Sequence, residues 1–357
     1  MTTNASPAAR PTLRVAASSS DNSSTMTRCH RDMRRVLVKL QELGAKPLGT
    51  QSPGETRKQP SPADAVKAVL IDQGKDPVAL AAAMKVSKRD VTYPTDGTTQ
   101  AARIYKPEKV DARAAAGTPV LVYYHGGGWV IADIATYEAS AMALAAKTGA
   151  IVVSIEYRHA PEHKFPAQHD DAWNAYKWVL ENAKTWGGNP ANIAVAGESA
   201  GGNLALNVAI KARDLRVQAP AHMLLVYPVA GMDMSTASYL ENENAIPLSK
   251  QGMEWFVANT IGNDEDKNSP LLDIVGKADL KKLPNATILT AEIDPLLTDG
   301  QLLAAQLRVG GSQVRFENFE GVCHEFFGMD AVVDAAGRAQ EIAAEELKAA
   351  FQLSFRA

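Results

Sequence analysis

From residue 90 onward the chain alternates short apolar or β-branched runs with amphipathic stretches. The runs are Asp90–Tyr93, Ala101–Tyr105, Pro119–Tyr124, Ala150–Tyr157, Asn192–Ala196, Ala221–Tyr227, Ala286–Ala291 and Gln313–Phe319. From the third onward most are separated by helical patterns such as Glu138–Thr148, Asp170–Lys184, Ala200–Asp214 and Gly300–Val309. Val120–Tyr124 and Ile151–Ile155 are apolar on both faces, as a strand must be when helices cover both sides of its sheet. The alternation predicts an α/β fold around a mostly parallel sheet of eight strands. Met232–Pro270 interrupts it with a polar loop and one helix around Met253–Val257, and reads as an insertion between two strands.

Upstream the pattern differs. Val36, Leu40 and Leu43 share one helix face, and Gly44 and Pro47 end that helix. Ser61-Pro62-Ala63-Asp64 combines a capping hydroxyl, a proline at the first helical position and an acid three residues after the cap. Asp76-Pro77 repeats the signal. Such short helices need a surface to lie on. Residues 1–30 show no apolar core of a secretory signal. Their Ser, Thr, Ala and Arg content resembles that of a transit peptide, but the favoured expectation is a disordered leader. The expected divisions are 1–30 leader, 31–88 N-terminal helices, and 89–357 main domain with 232–270 inserted.

Composition removes whole classes of function. With 37 basic and 40 acidic side chains the net charge is −3, which leaves no concentrated cationic surface for nucleic acid. No apolar stretch reaches the roughly 18 residues of a membrane span. Two cysteines, Cys29 and Cys323, cannot make a disulfide framework, so a cytoplasmic location is expected.

Gly197-Glu198-Ser199-Ala200-Gly201 falls between an apolar strand and an amphipathic helix. G-x-S-x-G in that setting is a nucleophile elbow, a turn so tight that the hydroxyl stands above the sheet beside the N–H groups of a helix start. The bare pattern arises by chance; its position between strand and helix carries the weight. His125-Gly126-Gly127-Gly128-Trp129 directly follows another strand. Its glycines allow close backbone approach and aim N–H groups where side chains would stand. Acyl transfer needs such donors against the tetrahedral oxyanion, and Gly126, Gly127 and Ala200 are the candidates. Phosphate-loop spacings are absent from this segment.

A serine nucleophile needs a base and a group that orients the base. Of seven histidines, His324 follows the last strand, where catalytic groups gather in open α/β folds. Asp294 ends the preceding strand with Pro295 setting the turn; Glu292 and Asp299 are its competitors. The order Ser199, Asp294, His324 is that of the α/β-hydrolases. A rival reading takes His159, His163, His169, Asp170 and Asp171 as a metal site. Pro161 spoils the helical spacing a zinc helix uses, so no metal is expected there. Arg158 and Glu162 of this loop are expected to form a buried ion pair.

With these residues in view, the chain resembles the hormone-sensitive-lipase-like microbial esterases of the α/β-hydrolase superfamily from about Asp90 to Phe351. HGGGW at 125–129, YRHAPEHKFPA at 157–167, GESAGGN at 197–203, SYLENE at 238–243, EIDPLLTDG at 292–300 and GVCHEFF at 321–327 carry the resemblance. It implies Ser199, Asp294 and His324 as a triad, Gly126, Gly127 and Ala200 as oxyanion donors, and a mobile cap. That cap would come from the N-terminal helices and the insertion. Departures are Glu198 for the commoner Asp, Trp129 for Phe and His159 for Leu. Cys323 beside His324 is also unusual and suggests sensitivity to thiol reagents.

The expected activity is a serine carboxylesterase on short- to medium-chain esters, with no cofactor and with activity falling below about pH 6.5. Trp129, Tyr239, Trp255 and Phe256 are candidate pocket walls. The partner is a small-molecule ester, with a homodimer left open. Alternatives are an amidase, deacetylase or thioesterase on the same residues, a non-catalytic small-molecule receptor, or a metal hydrolase.

Overall fold

A computed structural model describes residues 23–108 and 117–354. Its eight strands are β1 (Val86–Thr95), β2 (Thr98–Pro107), β3 (Thr118–Tyr124), β4 (Ile151–Ile155), β5 (Gly188–Glu198), β6 (Met223–Val226), β7 (Ala286–Ile293) and β8 (Val314–Cys323). They form one sheet in the order β1-β2-β4-β3-β5-β6-β7-β8. β2 runs antiparallel to both β1 and β4, and every other pairing is parallel. Each of the eight predicted runs overlaps one of these strands.

Side chains alternate across the sheet. Val120, Val122 and Tyr124 enter one apolar layer with helices Ala167–Asn182, Ala200–Asp214 and Leu297–Val309. Leu121 and Tyr123 enter the other with helices Glu138–Thr148 and Asp334–Ser354. That is the period-2 consequence of a pleated strand buried on both faces. β1 sits at an edge and leaves Lys88 and Arg89 exposed, charges that discourage pairing with another chain.

The parallel strands matter most for chemistry. β3 to β8 all point the same way, so the residues that follow them emerge on one rim. His125 follows β3, Glu156 follows β4, Ser199 follows β5, Asp294 follows β7 and His324 follows β8.

The N-terminal segment lies against that rim. Met33, Val36, Leu37 and Leu40 of helix Arg31–Glu42 are buried with Val322, Cys323 and Phe326. The leader expected over 1–30 runs too far. Ser23–Arg28 is helical, Cys29 is buried, and the His30 N–H donates to the Gly321 carbonyl at 2.8 Å. Too few apolar residues precede Met33 for periodicity to reveal a segment held by backbone and cysteine contacts. Residues 1–22 of the expected leader lie outside the described residues.

The insertion holds more helix than its polar composition suggests: Ala237–Glu241, Lys250–Thr260 and a 3₁₀ turn at Asp264–Asn268. The Leu48 side chain lies against Gly252 of the second helix.

The ion pairing near residue 160 also differs from expectation. Arg158 does not meet Glu162; its guanidinium bonds the fully buried Asp171 carboxylate at 2.7 Å, and its N–H donates to the same group. Glu162 takes both Arg57 Nη groups at 2.7 Å, while Arg57 also donates to the Val130 and Ala160 carbonyls. Arg57 lies about a hundred residues away in the chain, where local spacing carries no signal.

Arg158→Ala removes the charged partner of the fully buried Asp171 carboxylate and leaves it only the Thr95 hydroxyl and the residue-158 N–H. The expected loss of unfolding free energy is about 3 kcal/mol, because a buried charge without its partner is strongly unfavourable. Denaturant unfolding of the two proteins checks this; a difference under about 0.5 kcal/mol refutes it.

Candidate active site

Ser199 stands in the turn between β5 and the helix Ala200–Asp214 with φ 56° and ψ −119°, a backbone state L-residues rarely adopt. Glycine at both flanks makes the turn feasible. A Cβ on Gly197 would lie 2.1 Å from the Gly201 carbonyl oxygen, and one on Gly201 would lie 2.0 Å from the Tyr124 carbonyl oxygen. The strained serine is thus held by backbones touching at positions where no side chain fits.

His324 Nε2 lies 3.0 Å from Ser199 Oγ, and His324 Nδ1 lies 2.7 Å from Asp294 Oδ2. All three residues are buried. The carboxylate only accepts, so Nδ1 carries the proton and the neutral ring offers its Nε2 lone pair to the serine hydroxyl. Asp294 is oriented by the Leu296 N–H at 2.9 Å. The same turn is tied to the SYLENE segment: Ser238 donates to the Pro295 carbonyl and Asn242 to the Asp294 carbonyl.

The two competitors for the acid go elsewhere. Glu292 accepts from the Gly321 N–H at 2.7 Å and lies 3.6 Å from Arg28. Asp299 is buried and accepts from the Ala230 and Gly231 N–H groups. Burial pushes its pKa up to about 7.

Burial alone would depress the His324 pKa by penalising the imidazolium. Asp294 at hydrogen-bond distance, with Glu325 and Glu198 farther off, outweighs that penalty and raises the pKa above its usual 6.5. Glu325 was not singled out from sequence. It sits in the left-handed region at φ 73°, 3.8 Å from His324 Nε2, and accepts from the Tyr137 hydroxyl at 2.6 Å. Beneath the serine, Glu198 is fully enclosed and accepts from the Tyr123 and Tyr227 hydroxyls. Burial lifts its pKa to about 7 despite those donors. Only the step-by-step neighbourhood of these residues in the GVCHEFF and GESAGGN segments pointed to them.

The glycine loop stands opposite the serine. Gly127 and Gly128 have φ of 100° and 59°, and a Cβ on Gly126 would lie 2.3 Å from the Tyr137 hydroxyl. Among the described residues, the Gly126 and Gly127 N–H groups donate to no protein acceptor. Ala200 opens its helix, where N–H groups lack intrahelical partners.

A cavity of about 140 Å³ opens onto Ser199 and His324, walled by Leu40, Leu48, Pro62, Gly128, Ile131, Leu248 and Phe256. Of the four expected wall residues only Phe256 lines it. Trp129, at φ 62°, is buried in the core beside His169. Tyr239 is enclosed behind the Asp294 turn, and Trp255 meets Phe256 edge-on from outside the cavity. Aromatic residue type does not tell a wall from a backing layer.

The five residues of the rival metal reading, His159, His163, His169, Asp170 and Asp171, are not brought together as one cluster. His163 is exposed, His169 Nε2 bonds Asn203 Oδ1 at 2.9 Å, and Asp171 belongs to Arg158. His159 instead meets His125 and Glu156. Cys29 and Cys323 lie with sulfurs 3.1 Å apart and are both buried.

A family model described as alpha/beta hydrolase fold matches residues 121–328. Carboxylesterase NlhH of Mycobacterium tuberculosis is 40% identical over 271 residues, covering 75% of this chain and 83% of that protein. An ethyl acetate hydrolase of Pseudomonas putida is 31% identical, covering 71% of this chain and 79% of the relative. Among solved structures, a hyperthermophilic esterase from the archaeon Pyrobaculum calidifontis superposes with a TM-score of 0.77 at 32% identity, covering 88% of this chain and 96% of that one. The chain therefore belongs to the α/β-hydrolase family, in its hormone-sensitive-lipase-like branch of microbial esterases.

Proposed function

We propose that this protein is a serine carboxylesterase that cleaves short- to medium-chain esters through an acyl-enzyme. The observation that carries the reading is the unbroken hydrogen-bond chain from Ser199 through His324 to Asp294. The named relatives support the reaction class.

In the proposed sequence Ser199 Oγ attacks the ester carbonyl carbon while its proton moves to His324 Nε2. The oxyanion forms against the N–H groups of Gly126, Gly127 and Ala200, each about as valuable as a typical donor of this kind, 10²–10³ in turnover. Collapse breaks the bond to the alcohol oxygen, which leaves with the proton from His324. A water then gives its proton to the imidazole, attacks the acyl carbon and restores the Ser199 hydroxyl. Asp294 keeps Nδ1 protonated throughout and stabilises the transient imidazolium.

The cavity size supports the substrate range. Its 140 Å³ is close to the roughly 150 Å³ apolar cavity that takes up a benzene molecule. A chain of about six carbons fills such a space, and a longer one would have to run past Phe256 and Leu248 toward the open end of the cavity.

Three outcomes follow. Ser199→Ala and Asp294→Asn should each lower kcat on p-nitrophenyl butyrate by about 10⁴-fold or more with the fold retained by circular dichroism. Retention of a tenth of the parent rate in either variant removes that residue from the mechanism.

His324 must be neutral to accept a proton. Because its pKa is raised, the acid limb of kcat/KM should lie above the ordinary 6.5, activity falling as pH drops through it. A profile flat to pH 5 excludes His324 as the base.

Across p-nitrophenyl esters from acetate to palmitate, kcat/KM should peak at four to six acyl carbons. Phe256→Ala should move the optimum to longer chains. An optimum unmoved in the variant, or one at palmitate in the parent, contradicts this use of the cavity.

A further inference from the structure

We propose that His125, Glu156 and His159 form a binding site for a divalent cation of the zinc class at the rim of the sheet, behind the glycine loop. This site shares no side chain with the proposed esterase chemistry and does not depend on it.

The topology brings the three together. Tyr124 and Ile155 are register partners at the ends of β3 and β4, so the next residues, His125 and Glu156, leave the sheet side by side. His159 returns three residues later. Among the described residues this is the one grouping of three ligand-type side chains whose ligating atoms all lie within 4.8 Å of one another.

Hydrogen bonding leaves the right atoms free. His125 Nδ1 lies 2.8 Å from the Gly126 carbonyl oxygen, which only accepts, so Nδ1 carries a proton. In the neutral ring Nε2 is then a bare lone pair. It is buried without a hydrogen-bond partner on a residue with no exposed surface, and it faces Glu156 Oε1 at 3.4 Å. His159 Nε2 is also buried without a hydrogen bond and lies 3.3 Å from the same oxygen. The other carboxylate oxygen of Glu156 is occupied by the Ile134 N–H at 3.1 Å, which turns Oε1 toward the two rings.

A lone pair held against a carboxylate oxygen is repulsive unless a proton or a cation lies between them. The distances suit a cation. Zinc bonds of about 2.0–2.1 Å in a tetrahedron separate ligand atoms by roughly 3.3–3.4 Å. Two imidazoles and one carboxylate are a donor set zinc accepts, with a fourth position for water. The Nδ1 contact to a backbone carbonyl is the outer-shell partner that usually orients a ligating histidine.

The surroundings are balanced. Tyr157 stacks on His125 with centroids 4.4 Å apart and donates to the His125 carbonyl at 2.9 Å, holding the ring in place. Asp133 adds a negative charge nearby, while Arg57 adds a positive one that is largely neutralised by Glu162. Glu156 and His159 keep about a fifth of their side-chain surface open, which provides an entry path. A bound cation would staple the ends of β3 and β4 just below Gly126.

The test uses the full chain, stripped of metal by a chelator and titrated with zinc chloride against a chromogenic chelator. One equivalent should bind, and the unfolding temperature should rise by a few degrees in zinc. His159→Leu should weaken binding by about 30-fold or more and abolish that rise. Glu156→Gln, which keeps the Ile134 contact, should weaken it similarly if the leucine variant fails to fold. Cys29→Ser, His163→Ala and Ser199→Ala should each bind as the parent does. No stoichiometric binding would mean that only a proton joins His125 to Glu156, and would overturn the site. So would parent-like affinity in both ligand variants, or loss of binding in Cys29→Ser alone.

Discussion

Stretches of main chain meet beneath Ser199 so closely that positions 197 and 201 can carry no side chain. The helix that follows the serine starts directly on the exit of β3, with Gly201 against the Tyr124 and His125 carbonyls and Gly197 against Gly201 itself. This approach forces the serine into its rare backbone state and brings the start of the helix beside the glycine loop. Burial of the surrounding sheet on both faces offsets a strain of order 1–3 kcal/mol. A methyl group at either glycine would separate the hydroxyl from the N–H groups across from it.

Around that turn the electrostatics are arranged by burial and by distance, in competition. Glu198 and Asp299 are enclosed, and burial pushes both carboxyl pKa values up to about 7; burial also raises that of Glu325, which is only half-buried. Of the carboxylates near the imidazole, Asp294 is the one within hydrogen-bond reach, at 2.7 Å, with Glu325 next at 3.8 Å. The geometry therefore directs one negative charge at Nδ1 and keeps the others bonded to tyrosine hydroxyls or backbone N–H groups. An imidazole surrounded by several equally close carboxylates would be locked in its protonated form.

The N-terminal segment is part of the same construction. Its helix Arg31–Glu42 covers the end of β8, Cys29 touches Cys323 next to the histidine, and Arg57 ties the Val130 carbonyl, just after the glycine loop, to the Ala160 carbonyl after β4. Leu40 and Leu48 then supply cavity wall that the insertion completes with Leu248 and Phe256. The cavity wall is assembled from segments some two hundred residues apart, laid over a rim built by the parallel strands.

Local regularity was legible along the chain. Period-2 patterns located all eight strands without their ends, and period-3.6 patterns gave the helices Glu138–Thr148 and Ala200–Asp214 to the residue. Glycines bracketing Ser199 and filling positions 126–128 marked the places where backbone must come close, because no other residue type tolerates it. Parallel strands share one rim, so Ser199, Asp294 and His324 were legible as neighbours from their positions at strand ends. Contacts between segments without a shared period were not. Phe256 reaches the cavity while Trp129 and Tyr239 do not, Arg57 rather than Arg158 meets Glu162, and His159 turns to His125 and Glu156 rather than to His163. Sequence spacing sets distances within an element, whereas register between β3 and β4 and the path of the returning N-terminal chain set distances between elements. Those are decided only when the apolar layers close.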